Sequence, residues 1–199
     1  MNPAILHDAH AWWFGSLSGP ADFPADKAAM WFERSHATDD HIRRAFGPHL
    51  AAVAAASWPL ADLAREERVG LVLFLDQFPR NIFRESAEAF ARDERAREIA
   101  AALIDDNYGE YYLIERAFLI LPFEHSESLA DQDTAVRLAE ELAAAAPPGN
   151  DFFPSLVDYA VKHRDLIRRF GRFPHRNAVL GRESTPEEVA FLTEHGRGY

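Results

Sequence analysis

Leu60-Ala-Asp-Leu-Ala-Arg-Glu-Glu-Arg-Val-Gly-Leu-Val-Leu-Phe-Leu-Asp-Gln-Phe78 is the stretch on which the fold class turns. Its second half, residues 69–75, has the composition of a buried strand, and a short apolar run looks the same in a buried helix. The first half decides between them. Residues 60–68 are rich in strong helix formers, and no turn residue separates them from Val69. One helix is therefore expected over 60–78, buried all round toward its C-terminal end.

Outward from this stretch the helical signals continue. Ile5, Leu6, Trp12 and Trp13 are spaced as helix-face residues, with Gly15 as a stop, and Trp31-Phe32 marks a short second segment. Thr38, Asp39 and Asp40 are candidate caps for a helix running into Phe46, where Gly47-Pro48 interrupts. Residues 50–57, 86–105, 110–121, 128–146 and 155–170 read as further helices. Thr185-Pro-Glu-Glu188 combines a cap, a proline at the first helical position and a capping-box glutamate, so a last helix is expected from Pro186 to His195. No strand–turn–strand pattern and no fixed-period repeat is evident. The expectation is an all-α chain, one domain over residues 1–199 with about eight to ten helices.

A chain of 199 residues can bury on the order of 70% of its unfolded surface without staples. It has no cysteine, which excludes disulfides, thiolate metal sites and cysteine nucleophiles and suits a reducing cytoplasm. The net charge of −11 argues against nucleic acid or an anionic membrane as partner. No leader is visible at the N-terminus, and the apolar stretches 50–56 and 69–75 fall far short of the ~20 residues of a membrane span. A soluble, cytoplasmic protein is expected. Local charge departs from the average: Lys162, Arg164, Arg168, Arg169, Arg172 and Arg176 face a single acid, Asp165, within residues 162–176. A solvated basic helix end accounts for such a run as well as a binding surface does.

Three polar stretches could carry chemistry. Asp76-Gln-Phe-Pro-Arg-Asn81 and Phe173-Pro-His-Arg-Asn177 each set an aromatic and a proline just before an arginine and an asparagine. Arginine brings a rigid five-donor fork and asparagine a donor with an acceptor, so the pair suits an anion. The plainer alternative for the first is a structural network in which Arg80 pairs with Asp76. Glu124-His-Ser-Glu127 places two carboxylates about an imidazole, a combination capable of acid–base work. Its plainer alternative is a helix end with His125 on the carbonyls and Ser126 or Ser128 capping the next helix. Neither this stretch nor His36, Asp40 and His41 has a recognised zinc spacing, and no phosphate-cradling glycine loop or nucleophile elbow occurs. No metal and no cofactor is expected. His163-Arg164-Asp165 lacks every other element of a kinase catalytic loop and is placed on a helix facing the 173–177 turn.

Residues 72–81, 115–127 and 163–177, with Trp12-Trp-Phe-Gly15, Trp31-Phe32 and residues 180–188, resemble the signature blocks of a bacterial family, domain of unknown function 924. The resemblance covers nearly the whole chain. It implies an all-α fold similar to tetratricopeptide-like arrays of antiparallel helix pairs, and no established activity. The positions matching the family's polar motifs are Asp76, Gln77, Arg80, Asn81, Glu124, His125, Glu127, His163, Arg164, Asp165, His175, Arg176 and Asn177.

Two functional expectations result. In the first, the three motifs line one polar pocket for a small carboxylate or phosphate. Arg80 and Arg176 clamp the ligand, while Asp76, Gln77, Asn81, Glu127, His163, Arg164 and Asn177 complete its binding shell. His125 or His175, polarised by Glu124, then serves any acid–base or hydrolytic chemistry. In the second, the chain is an interaction module whose polar motifs are structural. Its peptide groove would be lined by exposed aromatics among Trp12, Trp13, Trp31, Trp58 and Tyr111.

Overall fold

Every regular element among residues 2–196, which the computed structural model describes, is helical. In the N-terminal part the α-helices are α1 (Ala4–Phe14), α2 (Ala28–Phe32), α3 (His36–Ala45), α4 (Gly47–Ala55), α5 (Arg65–Val72) and α6 (Phe78–Ile82). There follow α7 (Asp93–Asn107), α8 (Leu113–Glu124), α9 (Leu129–Ala144), α10 (Phe152–Phe170) and α11 (Pro186–His195). The strand considered for residues 69–75 is absent, in keeping with the all-α class. The chain divides into two compact units. One comprises the residues up to Arg84 together with Glu88–Pro122, the other Glu85–Ala87 together with the residues from Phe123 onward.

The helix expected over 60–78 starts later and ends later than its composition suggests. Leu60–Asp62 form a 3-10 turn, and Ala64 is extended at φ −65°, ψ 159°. The Glu67 carboxylate then accepts the Ala64 N–H at 2.8 Å, which starts α5 at Arg65. A glutamate three residues past the first non-helical position is the start signal here, in place of a turn residue. At the other end the chain does not stop at Phe78. A proline inside a helix lacks an N–H and crowds the carbonyl four residues back. For Pro79 that carbonyl belongs to Leu75. The widened π turn Leu73–Gln77 accommodates it, and α6 continues to Ile82.

Two other boundaries differ for local reasons. The cap of α3 is Ser35, whose Oγ accepts from the Thr38 N–H, rather than Thr38, Asp39 or Asp40. Gly47-Pro48 opens α4 rather than interrupting a helix, since proline is well tolerated in a first turn.

In the first unit the core is aromatic. Phe118 of α8 meets Trp13, Phe14 and Trp31 at centroid distances of 5.6, 5.2 and 5.2 Å, all in edge-on geometry. Each such pair adds about 0.5–1.5 kcal/mol to the burial term. Trp13, Trp31 and Tyr111, three of the five aromatics considered for an exposed groove, are instead buried. Helix α1 lies so close to α5 that a Cβ at Gly70 would run into the backbone of Leu6.

In the second unit α9 packs on α10 through Val136, Ala139 and Ala160, small residues that let the helix backbones approach. Helix α10 stops at Gly171, left-handed at φ 70°, whose N–H returns to the Ile167 carbonyl. Leu166, Ile167, Phe173 and Phe191 then form a cluster that draws the chain after α10 onto α11. The capping box at α11 is as expected: Thr185 Oγ1 accepts from the Glu188 N–H at 3.2 Å, and Glu188 accepts from the Thr185 N–H at 2.7 Å.

The Gly70 contact yields a direct expectation. Gly70→Ala should lower unfolding stability by about 2–3 kcal/mol, because its obstacle is backbone rather than a movable side chain. Gly47→Ala, where a Cβ meets only ordinary contacts at 3.8 Å or more, should change it by less than ~1 kcal/mol. Urea midpoints of the two variants check this.

Candidate functional site

In the first unit the polar groups around Arg80 pair with one another. Arg80 donates in parallel to both Asp93 oxygens at 2.8 Å and to the Asp76 carbonyl at 2.7 Å, with the Asp76 carboxylate 3.3 Å away. Burial alone would lower the Arg80 pKa, but Asp76 and Asp93 outweigh it and raise it. Asp76, fully buried, also accepts from Gln77 Nε2 at 2.6 Å. Asn81 follows, half-buried. The pairing of Arg80 with Asp76 weighed from the sequence exists, and Asp93 is the partner that sequence reasoning missed.

A second closed network in this unit had not been singled out. Glu115, fully buried, accepts from His10 Nε2 at 2.6 Å, Arg65 at 2.6 Å and the Tyr112 N–H at 2.8 Å. Arg65 lies 3.6 Å over the Tyr112 ring and also pairs with Glu66. The signal was present in the sequence, because a lone acid inside the apolar run 111–121 must find partners when buried.

The second unit gathers the remaining motif residues. Gln132 of α9 is fully buried, and its amide nitrogen donates to the carbonyls of Glu124 and Ser126, both at 2.7 Å, and Phe123 at 3.4 Å. One side chain thereby satisfies the orphan carbonyls where α8 ends and shapes the turn that carries Glu124, His125, Ser126 and Glu127. Ser126 donates to Asp131 at 2.6 Å and accepts from the Ser128 N–H. The Glu127 carboxylate reaches the far turn. It accepts from the Phe173 N–H at 2.8 Å and from both terminal nitrogens of Arg182 at 2.6 and 2.9 Å. Burial opposes its charge, yet these donors hold its pKa below the usual carboxylate range.

Phe173, held in this way, is the hub of the cluster. The His163 and His175 rings lie 5.7 and 5.6 Å from its centroid, and the Arg176 guanidinium lies 4.4 Å over its face. His163 projects from α10, and its Nδ1 donates to the Tyr159 carbonyl at 2.8 Å. Glu124, itself buried, has a carboxylate oxygen 3.7 Å from the same nitrogen, too far for a hydrogen bond. Burial pushes the His163 pKa down to about 4, the bond to Tyr159 opposes this, and the charges of His125 and Arg176 add to it. The imidazole is therefore neutral at pH 7, with its proton on Nδ1 and a lone pair on Nε2.

Other members of the motifs are braces. Asn177, buried, donates to Ser184 Oγ at 3.0 Å and Glu188 at 3.2 Å and accepts from Arg182 at 3.0 Å. Glu188 in turn accepts from Arg172 at 2.7 and 2.8 Å. Arg164 and Arg168 reach Asp133 only at 3.8 Å, Arg168 being exposed and Arg164 half-buried. Among the described residues no group of three or more His, Asp or Glu side chains is arranged to hold a metal. An open depression of about 310 Å³ near Pro3, Trp58, Pro59 and Asp62, in the first unit, contains none of the motif residues.

The hydrogen bonds from Arg172, Thr185 and Asn177 hold the Glu188 pKa down to about 2. A depressed carboxylate stabilises the fold above its unfolded pKa of about 4.3 and loses that contribution as pH falls through the folded value. Glu188→Gln should therefore be less stable than the wild type at pH 6, and the gap should narrow between pH 4.5 and 2. Urea midpoints across that range test it; a gap independent of pH would contradict it.

Comparison with known proteins places the chain. A solved structure of a protein of unknown function from Agrobacterium tumefaciens is similar to it at 33% identity and a TM-score of 0.79, covering 97% of this chain and 99% of that one. Among proteins with curated descriptions, none matches it. Residues 9–196 match the family described as bacterial protein of unknown function, DUF924, and the chain belongs to that family.

Proposed function

We propose that the second unit binds a small anionic ligand, a carboxylate or a phosphate, at the cluster around Phe173. The single observation that carries this reading is the meeting of Arg176, His163 and His175 about one buried ring, with the Arg176 charge felt at His163. A guanidinium in a largely desolvated setting attracts an anion more strongly than one in water, because little solvent screens it. Arg182, Glu127, Asn177 and Glu188 support the site by fixing the turns that carry it. His125 and Glu124 remain the acid–base candidates, since both flank the same imidazole.

The Asp76–Asn81 stretch takes the structural role in this proposal, which the bidentate closure of Arg80 on Asp93 favours. The packing of α9 on α10 is consistent with a tetratricopeptide-like helix pair, and an interaction module is the rival function. The ligand is taken to be a water-soluble molecule met in the cytoplasm; among the described residues no helix is long and apolar enough to cross a membrane.

Thermal denaturation with phosphate, acetate, lactate and citrate tests the proposal. A ligand present at a hundred times its Kd adds about 2.7 kcal/mol, or roughly 5–10 °C in Tm for a chain of this size. At least one of these anions should raise Tm, and the rise should vanish in Arg176→Met and shrink in His125→Ala. The quantity compared is the ligand-induced rise, so a lower starting Tm in either variant does not confuse the result. No rise with any anion would overturn the proposal and favour the interaction module.

A further inference from the structure

We infer that the open depression beside Trp58, in the first unit, is a binding site of its own, and that its ligand is a small methylated ammonium compound.

The depression measures about 310 Å³, at the small end of the range for ligand pockets, so it suits a small molecule better than a length of polypeptide. Its main wall is the segment between α4 and α5, and four carbonyls there are already tied. Val53 accepts from Trp58 Nε1 at 3.0 Å, and Ala56 accepts from Arg95, which is not among the lining residues. Pro59 accepts from the Asp62 N–H at 2.9 Å, and Leu60 accepts from Arg68 Nε at 2.9 Å. A wall fixed before the ligand arrives has little order left to lose on binding.

Two side chains of this wall point to a cation. Asp62 is the one charged residue among those lining the depression, and its carboxylate has no hydrogen bond or ion pair among the described residues. Trp58 has its N–H committed to Val53, so what it offers the depression is carbon surface and the electron-rich face of the indole, the best aromatic partner for a cation. No lysine, arginine or histidine lines the depression to hold an anion.

The tied carbonyls select the kind of cation. A primary ammonium brings three N–H donors, and each needs an acceptor once it leaves water. With those carbonyls in use, the Asp62 carboxylate and the Ser57 hydroxyl are what the lining side chains supply. A methylated ammonium keeps the charge, carries no such demand, and packs its methyl groups against Trp58, Pro3 and Pro59.

Choline, ethanolamine and the neutral tert-butyl analogue of choline share one hydroxyethyl chain and differ only in the head, so they are the probes. Titrations of the full chain, followed by the amide NMR signals of residues 56–63, should show choline binding at least about fivefold more tightly than either of the others, the factor that a weak cation–aromatic contact and an exposed ion pair supply together. Asp62→Asn, at an exposed position, should weaken choline by about two- to fivefold and leave the neutral analogue unchanged. Trp58→Leu should abolish the preference for choline over the neutral analogue, and Asp62→Asn serves alone if that variant does not fold. Equal binding of choline and the neutral analogue would overturn the inference, as would tighter binding of ethanolamine or no binding of any probe. A choline response unchanged in both variants would also overturn it. None of these outcomes bears on the anion site around Phe173.

Discussion

The Glu127 carboxylate is the contact on which the second unit depends. It leaves the turn after α8, accepts the backbone N–H of Phe173 in the turn after α10, and takes both terminal nitrogens of Arg182. Two irregular segments 46 residues apart are thereby joined by one charged group. Because the bond to Phe173 is to backbone, it sets where that ring lies, and His163, His175 and Arg176 are arranged about the ring. Removing the carboxylate would leave Arg182 without its fork partner and the Phe173 N–H without an acceptor. Such losses cost more than the bonds contribute when made.

The two similar phrases, Gln77-Phe-Pro-Arg-Asn81 and Phe173-Pro-His-Arg-Asn177, fold by different physics. In the first, a π turn absorbs the proline, the helix continues, and Arg80 is brought onto Asp93, 13 residues later. In the second, Gly171 has already ended α10, so the proline opens a 3-10 turn that turns Arg176 back over Phe173. The first asparagine is half-buried, whereas the second is buried and fully used as a brace. Likeness of wording reflects a shared residue chemistry, and the preceding backbone decides what that chemistry does.

Much of the fold was legible in the chain. The helical class followed from residues 60–68, the last helix from Thr185 and Glu188, and the helical setting of His163 from its surroundings. What escaped was set by contacts distant in sequence. Asp93 lies in the stretch 86–105, read from the sequence only as a helix, and becomes meaningful only when Arg80 reaches it. Nothing in the sequence around Gln132 marks it out, yet it is fully buried because its amide supplies a donor to three carbonyls at and just past the end of α8. The π turn was hidden because helical propensity is silent on how a helix accommodates Pro79. His163 was placed near the 173–177 turn from the sequence, but its tautomer depends on the Tyr159 carbonyl and could not be read from residue types.

The central claim is that His163 is a neutral, Nδ1-protonated imidazole held against Phe173. Nitrogen-15 NMR of the histidine side chains tests it most directly, with His163→Gln providing the assignment. The expected spectrum at pH 7 shows the Nδ1–H tautomer, with protonation only on approaching the depressed pKa of about 4. An Nε2–H tautomer, or a midpoint near the ordinary histidine value of about 6.5, would contradict the account.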